Sequence, residues 1–150
     1  HSLVTCTAFC DIREYDTRCP RKPVTAVKLF ENKLESKDLR QKGELYLSKI
    51  FQSKLNENYV YVVTQEGHPI LCDRRNNYKM IQKMTGAKGS VRGACSRLVP
   101  GLDGPASQEV VVTVGCDRFL RVYDPFAGYQ HRTEIGHAYL KQRLNSLVIF

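Results

Sequence analysis

The sequence predicts an all-β protein, and three observations predict it. Short runs rich in Val, Ile, Tyr, Phe and Thr recur between turn signals, and sustained helical periodicity is hard to find. A third pattern, a turn followed by a short strand and a closing Asp, occurs three times. The 150 residues suffice for one domain with a sizeable core, and 42% hydrophobic with 25% charged residues is the composition of a globular chain, which excludes disorder and fibre. No apolar run approaches the roughly 20 residues of a bilayer span, and the first residues are not a charged leader followed by an apolar stretch. We therefore expect neither a membrane partner nor a secretory signal.

The strand runs group into sheets in order. Leu3 to Phe9, Ile12 to Tyr15 and Val24 to Phe30 make a first unit, entered at its second strand. Leu45 to Phe51, Tyr59 to Thr64, Ile70 to Cys72 and Met80 to Met84 make a second. Val91 to Leu98, Val110 to Val114, Phe119 to Tyr123 and Thr133 to Leu140 make a third, and Leu144 to Phe150 opens a fourth. Two segments read as excursions: Lys33 to Gly43, highly charged, fits a short helix or a solvated loop, and Val99 to Ser107, dense in Gly and Pro, reads as a loop between strands.

The repeats define the architecture. Cys10 to Asp16 reads CDIREYD, Glu66 to Arg74 reads EGHPILCDR, and Cys116 to Asp124 reads CDRFLRVYD. Their closing residues Asp16, Asp73 and Asp124 recur at intervals of about 50, a little above the roughly 40 to 45 residues of one blade of a WD-repeat β-propeller, and the two excursions absorb the excess. In that geometry Asp11 and Asp117 are structural, accepting hydrogen bonds at the turn between second and third strands, and Tyr15 and Tyr123 pack between blades. Residues 1–150 then form about three blades, beginning and ending within blades. A propeller hides its sheet edges only by closing its ring, so we expect a portion of a longer protein that folds poorly in isolation.

Candidate chemistry is sparse. The six cysteines stand singly, mostly within apolar runs, which suits a reducing compartment and small buried hydrophobes better than disulfides. Cys6, Cys10 and Cys19 with His1 are the nearest approach to a zinc set, but strand spacing does not make a metal knuckle, so we expect no metal and no cofactor. His131 and His137 lack the spacing of a helical metal pair, and no Gly-x-Ser-x-Gly elbow occurs. Thr85 to Ser90, TGAKGS, lacks the Lys-Ser or Lys-Thr that a phosphate loop needs at a helix start. Cys72, beside Asp73, Arg74 and Arg75, has cations that could lower a thiol pKa, yet a half-buried strand cysteine explains it better. No catalytic residue is assigned, and we expect no enzyme.

The chain also resembles a family. The order YDTRCPRKP (Tyr15 to Pro23), GSVRG (Gly89 to Gly93), CDRFLRVYD and YLKQRLNSLVI (Tyr139 to Ile149) is similar to the later blades of the nucleolar WD-repeat ribosome-biogenesis factors, the Nop-seven-associated proteins of fungi and their animal counterparts. The resemblance covers nearly the whole chain. It implies the C-terminal-half portion of one seven-bladed propeller, in the nucleus and nucleolus. It further implies a scaffold that joins pre-60S particles, contacts other ribosome assembly factors and ribosomal RNA, and is released by an AAA-type ATPase. The chain departs from the general WD pattern. It has no Trp, ends its repeats in Tyr-Asp or Cys-Asp, and carries Gly86-Ala87-Lys88-Gly89 where a Gly-His pair is expected, so the usual His-to-Asp relay is absent there and packing is expected in its place.

Charge supplies the binding candidates. Lys and Arg number 23 against 15 Asp and Glu, a net charge of +8 that favours polyanions or acidic segments. The cations cluster at turns: Arg18, Arg21 and Lys22; Arg74, Arg75 and Lys79; Lys83, Lys88 and Arg92; Arg118 and Arg121; Arg132, Lys141 and Arg143. If such turns share one rim, their fields sum. Arg74, Arg75, Lys88, Arg92 and Arg118 are the expected partner contacts, because a guanidinium grips carboxylate or phosphate with two parallel hydrogen bonds. A different class of function, a WD-repeat adaptor recognising peptides in a ubiquitin ligase or signalling complex, is the alternative.

Overall fold

The computed structural model describes residues 2–19, 21–29, 46–100, 107–127 and 134–149. Eleven strands lie in these segments: β1 (Ser2–Cys6), β2 (Asp11–Asp16), β3 (Thr25–Lys28), β4 (Leu47–Gln52), β5 (Tyr59–Thr64), β6 (Pro69–Asp73), β7 (Lys79–Lys83), β8 (Val91–Pro100), β9 (Ser107–Gly115), β10 (Phe119–Tyr123) and β11 (Glu134–Tyr139). They form three antiparallel sheets in chain order, β1-β2-β3, β4-β5-β6-β7 and β8-β9-β10-β11. The first strand of the second sheet, β4, touches β1 of the first sheet on one side and β8 of the third on the other. The sequence-read strands are all present in these sheets except the last. No strand forms within 144–149, where Leu147 instead crosses beside Gly93 of β8, so close that a Cβ on that glycine would meet the Leu147 nitrogen at 2.9 Å.

The second sheet shows why the sheets stack. Its central strand β5, YVYVVT, is β-branched and aromatic throughout and almost wholly buried, as a strand covered on both faces should be. Successive side chains point to opposite faces. Val60 and Val62, with Ile70 and Cys72 of β6, join Ile12 and Cys10 of the first sheet in one core. Tyr61 and Val63 point the other way: Tyr61 and Leu71 pack with Val111 and Tyr123 of the third sheet, and Val63 packs with Ala87, Val91 and Ala94. Each fully buried Val or Ile contributes roughly 1.5–3 kcal/mol. The molecule thus has two apolar seams, one between each pair of adjacent sheets.

Polar turns set the strand ends. Asp16, Asp73 and Asp124 each accept a hydrogen bond from the backbone N–H two residues on, Arg18 at 3.0 Å, Arg75 at 2.9 Å and Phe126 at 2.8 Å. This side-chain mimic of a backbone turn is the physical content of the recurring Asp. At the other end of the same strands lie short hairpin loops, each of which turns through a residue with a left-handed backbone: Cys10 (φ 68°), Gly67 (φ 103°) and Arg118 (φ 67°).

Most strand ends differ by a few residues from the sequence reading, and at the expected Val99 to Ser107 loop the strands run into the loop itself. Val99, Pro100 and Ser107 belong to strands, with Val99 opposite Gln108 and Pro100 opposite Ser107. Pro100 is tolerated because β8 is a sheet edge and ends there. Residues 101–106 of the expected loop, the Lys33 to Gly43 excursion, Phe30, Arg132, Thr133 and Phe150 lie outside the described residues.

Candidate functional site

Because every sheet is an antiparallel meander, its turns alternate between two ends. The β1-β2, β5-β6 and β9-β10 turns share one end with the β7-β8 connection, and the β2-β3, β6-β7 and β10-β11 turns lie at the other. Contacts across the sheets confirm the pairing: a Cβ on Gly67 of the β5-β6 turn would meet the Gly89 carbonyl oxygen at 2.5 Å, whereas Arg74 of the β6-β7 turn reaches Glu14 and Ser2 near the far end of the first sheet. The five cationic candidates therefore do not sum on one rim. Lys88, Arg92 and Arg118 are together at the first end; Arg74 and Arg75 are at the other.

At the first end, the stretches GSVRG, CDRFLRVYD and YLKQRLNSLVI meet. The Cys116 N–H donates to the Ser90 carbonyl (2.9 Å), and the Arg92 Nε lies 3.4 Å from the Cys116 sulfur. The Leu140 N–H donates to the Arg118 carbonyl (2.7 Å), and Leu147 covers Gly93. Lys88, Arg92 and Arg118 are exposed around this junction. Beside it, Tyr46, Gln65, Glu66, His68, Ala87, Lys88, Gly89 and Ser90 line an open cleft of about 570 Å³.

Asp117 anchors the junction. Its carboxylate accepts hydrogen bonds from the Lys88 N–H (3.3 Å), the Phe119 N–H (3.2 Å) and the Arg121 guanidinium (2.5 Å). Burial works to raise its pKa, but these three donors together hold it below the usual carboxylate range. Arg121 and Asp117 are nearly dry, with side chains 8% and 9% exposed, and Glu134 stands 3.8 Å from Arg121 on its other side. A buried Asp-Arg-Glu chain thus takes the place expected of packing alone, and Arg121 belongs to the interior rather than to a basic surface. Sequence reasoning had a signal for it: Arg121 alternates with Leu120 and Val122 on a strand whose neighbour Asp117 sits four residues back.

The remaining candidates fall as follows. Asp11 is not in a turn: it begins β2, and its carboxylate stands 3.5 Å from Arg13. The turn position of Asp117 corresponds to Glu66 and Phe9, since the left-handed residues 10, 67 and 118 each precede the closing residues Asp16, Asp73 and Asp124 by the same spacing. Tyr123 is fully buried in the second seam, where burial pushes its hydroxyl up to about 12, and Tyr15 is half-buried on β2 opposite Leu3. Arg74 forms an ion pair with Glu14 across the first seam, while Arg75 is exposed beside Asp73. Cys72 is wholly buried, and burial pushes its thiol up to about 12. Among the described residues, no three His, Cys, Asp or Glu side chains converge as a metal site would need.

Sequence reasoning missed Glu109. This β9 carboxylate is fully buried in the second seam and accepts hydrogen bonds from the Ser53 hydroxyl (2.5 Å), the Lys54 N–H (2.6 Å) and the Tyr61 hydroxyl (2.9 Å). Burial and the neighbouring Glu109 push the Tyr61 hydroxyl well above the ordinary range.

Comparisons with known proteins fit this geometry. No family model matches the chain. Bovine WD repeat-containing protein 74 is 29% identical over 98% of the chain, and the chain spans about a third (32%) of that relative's length. The crystal structure of the WD40 β-propeller domain of Doa1 superposes with a TM-score of 0.61 over 93% of this chain and 37% of the other, at 14% identity. With its meander sheets and matched closing Asp residues, the chain has the fold of a few blades of a WD40 β-propeller.

Proposed function

We propose that this chain is a C-terminal-half portion of one propeller and serves as a non-catalytic scaffold in biogenesis of the large ribosomal subunit, in the nucleus and nucleolus. It binds other assembly factors on the pre-60S particle, touches ribosomal RNA secondarily, and leaves with the help of an AAA-type ATPase. The observation that carries the reading is the meeting of GSVRG, CDRFLRVYD and YLKQRLNSLVI at one end of the third sheet, with Lys88, Arg92 and Arg118 exposed around them. Stretches distant in sequence that resemble one family and converge in space support an interaction surface of that family. Arg75, exposed at the opposite end, is a second contact point.

The test is affinity purification of the full-length protein carrying Lys88→Glu, Arg92→Glu and Arg118→Glu. Large-subunit precursors co-purify with the wild type and are lost from the variant, while its melting temperature stays within about 2 °C, as for exposed substitutions. Intact particle association in the triple variant overturns this surface assignment. The cleft between the β5-β6 turn and the β7-β8 connection favours one other reading, a peptide-recognising adaptor. In that case peptide partners co-purify without precursor particles.

A further inference from the structure

The outer edge of the third sheet carries a cluster that neither the fold nor the seams require. Phe119 begins β10; Tyr139 of β11 stands opposite it, with ring centroids 5.3 Å apart, and His137, opposite Arg121, lies diagonally at 5.6 Å and nearly edge-on. Tyr139 is 57% exposed and the His137 side chain 58%. Aromatic groups this open on an edge strand lose hydrophobic free energy where they stand. Arg121 lies beneath the Phe119 ring, 4.9 Å from its centroid. The Arg118 guanidinium reaches the Tyr139 hydroxyl at 3.4 Å, and exposed Lys141 and Arg143 follow two and four residues beyond Tyr139. The nearby carboxylates are engaged: Asp117 with Arg121, and Glu134 with His137 at 2.7 Å. The outer cations thus face solvent without a compensating acid among these neighbours.

Exposed His137 and Tyr139 rings beside a half-buried Phe119, flanked by cations with no acid partner among the described neighbours, have the chemistry of single-stranded nucleic-acid binding: ring faces stack bases of any sequence, and the cations hold phosphates. A duplex offers no unstacked base to such a surface. We propose that Phe119, His137 and Tyr139 form a stacking platform for single-stranded RNA, with Arg118, Lys141 and Arg143 holding its phosphates. The choice of RNA over DNA rests on the ribosome-assembly reading above; the platform itself rests on the ring and charge geometry.

The test uses the full-length protein and a fluorescein-labelled oligouridylate, followed by anisotropy. Tyr139→Ala weakens binding roughly 5-fold or more, the loss of one base stack, and Tyr139→Phe, which keeps a ring face, restores it. Lys141→Glu with Arg143→Glu weakens binding and lowers the slope of log affinity against log salt by about 0.7 for each phosphate no longer neutralised. All three side chains concerned are at the surface, and thermal melting verifies that each variant is folded. Unchanged affinity in Tyr139→Ala, or equal affinity of the wild type for a short RNA duplex, overturns the platform. Co-purification of the wild type with large-subunit precursors is scored in parallel. Its absence overturns the ribosome-assembly reading, whereas an indifferent Tyr139→Ala overturns only the platform.

Discussion

The two seams between the sheets are alike in their apolar cores and opposite in their polar clamps. At the first seam Glu14, part-buried, meets a full countercharge: Arg74 pairs with it, and the Tyr78 hydroxyl donates at 3.1 Å. At the second seam Glu109, wholly buried, is held, among the described residues, by neutral donors from Ser53, Lys54 and Tyr61. A carboxylate without a cation in a dry seam is tolerable only if its lone pairs are fully engaged by fixed donors. The first clamp can be weakened in steps, by acid or by loss of one partner. The second joins β5, β9 and the residues just after β4 through one carboxylate, so losing that carboxylate releases all of its donors at once.

Substitutions can break this contrast. Glu109→Ala takes the acceptor from two buried hydroxyls and a part-buried N–H and opens a cavity, so we expect a loss of about 3–5 kcal/mol by denaturant unfolding of the protein, with Glu109→Gln costing less because it keeps one acceptor. A loss below about 1 kcal/mol for Glu109→Ala would remove the distinction between the seams. Arg121→Met takes from nearly buried Asp117 the guanidinium it shares with Glu134, and we expect about 3 kcal/mol. Arg74→Ala, at a seam that water reaches, should cost only about 1–2 kcal/mol.

The smallest expected effect sharpens the comparison by pH. The Arg74 hydrogen bonds hold the Glu14 carboxyl below the usual glutamate range, against burial and with help from Tyr78. Its folded pKa is thus below the unfolded value of about 4.3, so its contribution is complete above that pH and is lost as pH falls through the depressed value. The melting-temperature gap between wild type and Glu14→Gln should be constant from about pH 5 to neutrality, and close below about pH 4. A gap that persists at low pH would assign the clamp to shape and not to charge.

Much of this fold was legible in the residues. Tyr59–Thr64 and Phe119–Tyr123 have the bounds that their β-branched and aromatic runs predict. β9 begins earlier than its valines because the backbone ladder continues through Ser107, Gln108 and Glu109, whose polarity hides a strand, and Glu109 is in fact among the most buried residues. The three-fold repeat is visible in the letters, but they mislead on its register: they pair Cys10-Asp11 with Cys116-Asp117, whereas the backbone repeats a left-handed residue at 10, 67 and 118. Counting back equally from Asp16, Asp73 and Asp124 finds it. Of the candidate site, Lys88, Arg92 and Arg118 come together as turns of one kind should. Arg74 could not be read as a clamp, because its partner Glu14 is sixty positions away and only the stacking of sheets joins them.

The three left-handed turn residues carry one more meaning. Gly67 takes that conformation without steric penalty, but an L side chain there costs roughly 1–2 kcal/mol. Cys10 offsets the strain locally, since its side chain is buried in the first-seam core beside Ile12. Arg118 is strained in the same way and gains no such packing, being exposed at its turn. Glycine at 118 would relax the hairpin and leave the seams untouched. A fold optimised for stability alone would therefore discard this arginine, and its strained backbone is a cost that the proposed interaction surface, if it engages the guanidinium, would offset.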